Sequence, residues 1–178
     1  MNPKHFLTVA TVCSILTVTA TAQTADTGWN RVTPEGAGFS VETPGQRLFG
    51  EHNNLYEYQS GNWFLSVHVL SGGDETRQLL ERRDRKEIKA YLEAERDVFI
   101  QGLNARRTGS SSTREGDDHP SIRFSAQTEN SDVLMLMVMT GETVYYVRAM
   151  GLKGSSDEDG KRFIRSFRVL TPNADGLQ

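Results

Sequence analysis

A chain of 178 residues and 19.9 kDa has room for one domain and a targeting extension. Its 24% charged and 37% hydrophobic residues, with a mean hydropathy of −0.50, exclude a polytopic membrane protein and a wholly disordered chain. A formal charge of −3 gives no broad attraction to nucleic acid or anionic lipid, so neither is an expected partner.

The first 22 residues read as a cleaved signal peptide. Lys4 gives a basic start, the stretch from Phe6 to Val18 is an apolar run of signal length, and Ala20-Thr21-Ala22 sets small residues before a cut between Ala22 and Gln23. The run is too short to persist as a bilayer-spanning helix. Cys13 lies inside it, preceded by Val12, which argues against a lipoprotein. The expectation is export to a periplasmic or extracellular location, with no membrane span after cleavage. The mature chain then has no thiol, which removes disulfides, thiolate nucleophiles and cysteine-ligated metals from consideration. It keeps 19 basic residues against 23 acidic ones, a charge of −4.

Residues 23–28 are a polar leader, 29–171 the expected single domain, and 172–178 a frayed tail. Trp29–Thr33 and Phe39–Thr43 alternate as strands around the turn-forming Pro34-Glu35-Gly36-Ala37-Gly38. Residues 47–53 form a weaker candidate strand. Leu55–Ser60 and Trp63–Leu70 flank Gly61-Asn62, a two-residue hairpin signal that sets Ser60 opposite Trp63 and Tyr58 opposite Leu65. One face of that hairpin is apolar; the other mixes Leu55, Glu57, Phe64, Ser66 and His68, and is expected to be partly covered. A short helix at 75–82, capped by Asp74, precedes a longer one at 85–103 that starts with capping-box spacing at Asp84-Arg85-Lys86-Glu87. Ile88, Tyr91, Leu92, Val98, Phe99 and Leu103 recur there at helical spacing. From Glu75 to Arg107 nine basic and seven acidic residues intermix, which is a solvated helix face rather than a nucleic-acid footprint.

After a polar loop from Thr108 to His119, Ser121–Thr128 alternates as a strand. Val133–Thr140 and Thr143–Leu152 make a hairpin turned at Gly141-Glu142. One face holds Leu134, Leu136, Val138, Tyr145, Val147 and Ala149. The other holds Val133, Met135, Met137, Met139, Val144, Tyr146, Arg148 and Met150. Both faces are apolar, so this hairpin belongs at the centre of a sheet covered on both sides. A last helix at about 157–166, capped by Ser156, and a strand at 167–170 complete the α+β pattern: an antiparallel sheet with helices on both faces.

Three stretches carry a family resemblance. They are Trp29…Gly38-Phe39-Ser40-Val41-Glu42-Thr43-Pro44-Gly45, then Thr143-Val144-Tyr145-Tyr146-Val147, and Gly160-Lys161-Arg162-Phe163-Ile164-Arg165-Ser166-Phe167-Arg168. In these the chain resembles the PsbP-like family, secreted bacterial relatives of a photosystem II extrinsic protein. The resemblance implies an α/β/α sandwich around an antiparallel sheet, and a domain without a recognised catalytic centre.

Three chemistries have residues to weigh. Ser110-Ser111-Ser112 and Asp117-Asp118-His119 hold the residue types of a small hydrolase, without a spacing that requires one. Asp157-Glu158-Asp159-Gly160 lacks the twelve-residue calcium-loop pattern and suits a helix start. The four mature methionines, Met135, Met137, Met139 and Met150, share one hairpin face, and soft thioethers can hold Cu(I) or Ag(I). Same-face strand neighbours stand about 7 Å apart, a spacing that favours packing over an ion. His52, His68 and His119 lack ligand spacing, and His68 is expected to pair diagonally with Glu57. The leading expectation is an exported, non-enzymatic domain that binds a protein or envelope component, with no cofactor. Soft-metal binding and hydrolysis are the alternatives.

Overall fold

The computed structural model describes residues 28–44, 54–114, 119–141 and 143–170. The expected signal peptide, the strand at 47–53 and the tail lie outside them. Ten strands and three helices follow in chain order: β1 (Trp29–Val32), β2 (Phe39–Pro44), β3 (Leu55–Ser60), β4 (Trp63–Ser71), α1 (Gly73–Arg82), α2 (Arg85–Gly102), β5 (Arg106–Arg107), β6 (Ser112–Arg114), β7 (Ser121–Gln127), β8 (Ser131–Met139), β9 (Thr143–Leu152), α3 (Glu158–Ser166) and β10 (Arg168–Val169).

Seven strands form an antiparallel sheet in the order β3-β4-β9-β8-β7-β5, with β6 also on β7. Both expected hairpins keep their registers, Tyr58 opposite Leu65 in one and Leu136 opposite Val147 in the other. Side chains alternate across a strand, so β8–β9 divides its apolar residues between two cores. Leu136, Val138, Tyr145 and Val147 pack with Tyr58 and Leu65 against Phe163 and Ile164 of α3. Met135, Met137, Met139 and Val144 pack with Ile122 and Phe124 against Leu79 of α1 and Ile88 and Leu92 of α2. The result is an α+β fold whose antiparallel sheet has helices on both faces.

The α3 side has a second component that alternation alone does not reveal. β2 pairs with β1 and also with β10, giving a three-stranded sheet in the order β1-β2-β10. It brings Phe39 and Val41, both fully buried, over the Tyr56–Tyr145 end of the core. Phe39 meets Tyr56 edge-on at 5.2 Å and stacks on Phe167 at 5.6 Å.

Several helix details differ from expectation. Asp74 does not cap α1, whose N-cap is Gly72; it sits in the first turn and pairs with Arg77 at 2.6 Å. Asp84 does cap α2, accepting from the N–H groups of Lys86 and Glu87. Glu87 pairs with Arg82 instead of closing a capping box. Val98 is 65% exposed and contributes nothing to the core, whereas Ile100 packs against it. Asp157, not Ser156, is the N-cap of α3, and Ser156 offers its carbonyl to Trp63 Nε1 at 2.7 Å.

Candidate functional site

The two helix layers do not cover the sheet evenly. α3 lies over β8, β9 and β4 and stops short of β7, so the α3-facing side of the β6–β7 edge is open. Register places Ser112 beside Arg123 and Arg114 beside Ser121, and continues that row through Arg123 to Leu136. The last turn of α3 and β10 supply the opposite wall with Arg165, Phe167 and Arg168. Between them lies a cleft of about 850 Å³ into which four arginines converge, from β6, β7, α3 and β10.

Among the described residues that line this cleft, the charged side chains are four arginines. Burial lowers the pKa of Arg123, and the positive charges of Arg114, Arg165 and Arg168 lower it further. Among the described residues no carboxylate forms an ion pair with Arg123, Arg165 or Arg168. Arg168 Nη1 donates to the carbonyls of Arg165 and Phe167, both at 2.7 Å, which sets it at the negative end of α3. His119 lines the same cleft, and its buried Nδ1 has no hydrogen-bond partner among the described residues. Guanidinium groups are planar forks that match the oxygens of carboxylate, phosphate or sulfate in pairs. The described lining can therefore pair with the oxygens of an anion.

Sequence reasoning named two of these residues for another purpose and missed the arginines. Ser112 and His119 do meet in one cleft, while Asp117 and Asp118 lie outside the described residues. Ser111 turns away and accepts from Arg96 at 3.1 Å. Arg123 carried a signal that could have been read: it occupies the face of β7 whose cross-strand neighbour is the apolar Leu136. The other three gain meaning only once α3 and β10 are placed.

The remaining candidates have ordinary surroundings. Met135, Met137 and Met139 are at most 1% exposed beneath α1 and α2, whereas Met150 is half-buried opposite Phe64. Met137 and Met139 are thus closed off, while Met135 borders a hollow beside Val98 and Phe99. His68 and Glu57 form no ion pair; Glu57 acts on Arg148, while burial and then the charge of Arg148 lower the pKa of His68. Asp157 and Glu158 pair with Lys161, and Asp159 accepts from Ser60 at 2.7 Å. Among the described residues no group of three or more His, Cys, Asp or Glu is placed to hold a metal.

No protein-family model matches the chain, and a comparison with curated proteins finds no significant match. Solved structures do match. Cyanobacterial PsbP (CyanoP) from Synechocystis sp. PCC 6803 aligns with a TM-score of 0.50 at 9% identity, covering 85% of this chain and 98% of that one. A crystal structure from Bacteroides thetaiotaomicron VPI-5482 aligns at 0.40 and 15% identity, over 82% of this chain and 49% of that one, so the chain spans about half its length. The first likeness defines the class: an α+β protein with a PsbP-like fold. At 9% identity it speaks for the fold alone.

Proposed function

We propose that this chain is an exported, non-enzymatic binding domain spanning residues 29–171, whose recognition surface is the arginine cleft. Its partner is a protein or envelope component that presents an anionic group. The observation that carries the reading is Arg123, desolvated among three like charges in an open cleft. Arginines gathered close together raise each other's cost, and a bound anion relieves it. Export rests on the basic start, apolar run and small-residue site, and N-terminal sequencing of the secreted form should begin at Gln23. No helix of the described residues is long and apolar enough to cross a membrane.

Thermal unfolding of the purified protein in low-salt buffer tests the cleft, with pyrophosphate as probe and sodium chloride at matched ionic strength as control. A ligand that binds the native state must raise Tm by mass action. Pyrophosphate should raise it in the wild type and not in the R123Q/R165Q double variant. An equal response in both proteins would refute the assignment.

A hydrolase reading is favoured by one fact, that Ser112 and His119 share the cleft. It requires ester-hydrolysing activity that Ser112→Ala and His119→Gln each abolish. We rank it second because arginines outnumber every other polar residue type there.

A further inference from the structure

On the opposite side of the sheet, α2 covers β7 and β8 but leaves the outer half of β4 and β9 bare. This explains why one face of the β3–β4 hairpin mixes apolar and polar residues. A hollow of about 480 Å³ lies there, between α2 and the sheet. Its walls are Leu55, Leu70, Val98, Phe99 and Met135, and two of them, Leu70 and Val98, are 39% and 65% exposed. Exposed large apolar side chains gathered around a concavity, rather than scattered singly, mark a binding surface.

The floor holds a cation without a counter-ion. Arg148 Nε donates to Ser66 Oγ at 3.3 Å, and its guanidinium carbon lies 5.8 Å from the Phe64 ring centroid. Its two Nη groups make no hydrogen bond with the described residues, and no described carboxylate pairs with it. Burial lowers its pKa, and Glu57 opposes this only from a distance. Burial, and then the charge of Arg148, lower the pKa of His68 beside it, which disfavours a second positive charge there. Across the hollow, the Glu95 carboxylate accepts from Tyr146 Oη at 2.8 Å and forms part of the lining.

We propose that this hollow binds a small amphiphilic organic acid, with its carboxylate on Arg148 and its apolar body against Val98, Phe99 and Met135. Charge complementarity selects the head group, because a guanidinium fork pairs two carboxylate oxygens. The apolar walls select the body, and Glu95 disfavours a second negative charge at the far end. This site lies on the other face of the sheet from the arginine cleft, so either proposal can fail while the other stands.

Isothermal titration of the purified full chain with decanoate tests it, with decylammonium and decanedioate as controls. Decanoate should bind, decylammonium should not, and decanedioate should bind more weakly. Arg148→Gln should weaken decanoate by at least about tenfold, the worth of a lost charge-assisted hydrogen bond, whereas Arg148→Lys should retain part of the affinity. Should Arg148→Gln fail to fold, Val98→Asp at the exposed wall gives the second reading and should also weaken decanoate. The R123Q/R165Q variant should bind decanoate like the wild type. Absence of decanoate binding, equal affinity for decylammonium, or indifference to both Arg148→Gln and Val98→Asp would overturn the proposal.

Discussion

Glu42 shows how much one side chain on β2 can join. Its carboxylate accepts from Arg31 of β1 at 3.3 Å and from Arg162 of α3 at 3.0 Å, while its N–H donates to Ser166 Oγ at 2.8 Å. Arg162 also lies over the Trp29 ring at 4.8 Å. The hydrogen bond from Arg162 holds the Glu42 pKa below its ordinary 4.5 against burial, with further help from the positive charges of Arg162 and Arg31. A depressed carboxylate pKa contributes stability that is present above the unfolded value and lost as pH falls through the folded one. Glu42→Gln should therefore lower the urea midpoint at pH 7, by less than about 1 kcal/mol for so open a pair, and the difference should vanish well below pH 4.5. A pH-independent difference would show that shape, not charge, matters there. A contrast across β8–β9 reads the two sides of the same hairpin. Val147 is fully buried, so Val147→Asp should cost several kcal/mol by burying a carboxylate without a partner. Leu136, opposite it in the register, also borders the arginine cleft beside Arg123, so Leu136→Asp should cost less and should blunt the response to pyrophosphate. Chemical denaturation of both variants decides the point.

At the scale of elements, α3 is fastened to the sheet through Trp63. The indole lies between two glycines: a Cβ on Gly151 of β9 would come within 2.5 Å of the ring, and one on Gly160 of α3 within 2.8 Å. Helix propensity alone says Gly160→Ala should stabilise α3 by about 1 kcal/mol. Overpacking against an aromatic ring costs about 1–3 kcal/mol, and Leu134 Cδ1 at 3.2 Å closes the other way out. The steric effect should win, so Gly160→Ala lowers the urea midpoint; a rise would mean that α3 can shift outward freely. None of this was legible from spacing. Both long hairpins were, because alternation and a two-residue turn at Gly61-Asn62 fix register within a few residues of chain. The β1-β2-β10 sheet was not, because β10 has only two residues and its register, Val169 opposite Phe39, joins the two ends of the fold. Asp84 revealed its cap since that chemistry is local; Asp74 misled because the backbone enters α1 two residues earlier than its side chain suggested.

Across the whole molecule, a net charge of −3 conceals how arginine is placed on the two faces of the sheet, four lining the cleft on one side and Arg148 alone in the hollow on the other. Composition averages these five away, and they lie between residues 114 and 168 on five elements. A cleft assembled from such distant positions leaves no motif, which is why the likeness to a known fold was readable and the site was not. The same long-range construction predicts that removing residues from 158 onward, and with them α3 and β10, should abolish cooperative thermal unfolding, since Phe163, Ile164 and Phe167 close one entire core. Retention of a sharp transition would show that the sheet and α1–α2 suffice.

That placement of the closing pieces sets an order on assembly. A chain emerging from its N-terminus presents β3, β4, β8 and β9 before α3 and β10 exist, with only β2 available to cover part of their α3-facing side. Tyr58, Leu65, Val67 and Val147 must wait, wet and adhesive, until the final segment arrives. The interval between synthesis of β9 and docking of α3 is thus when this apolar face is most open to aggregation.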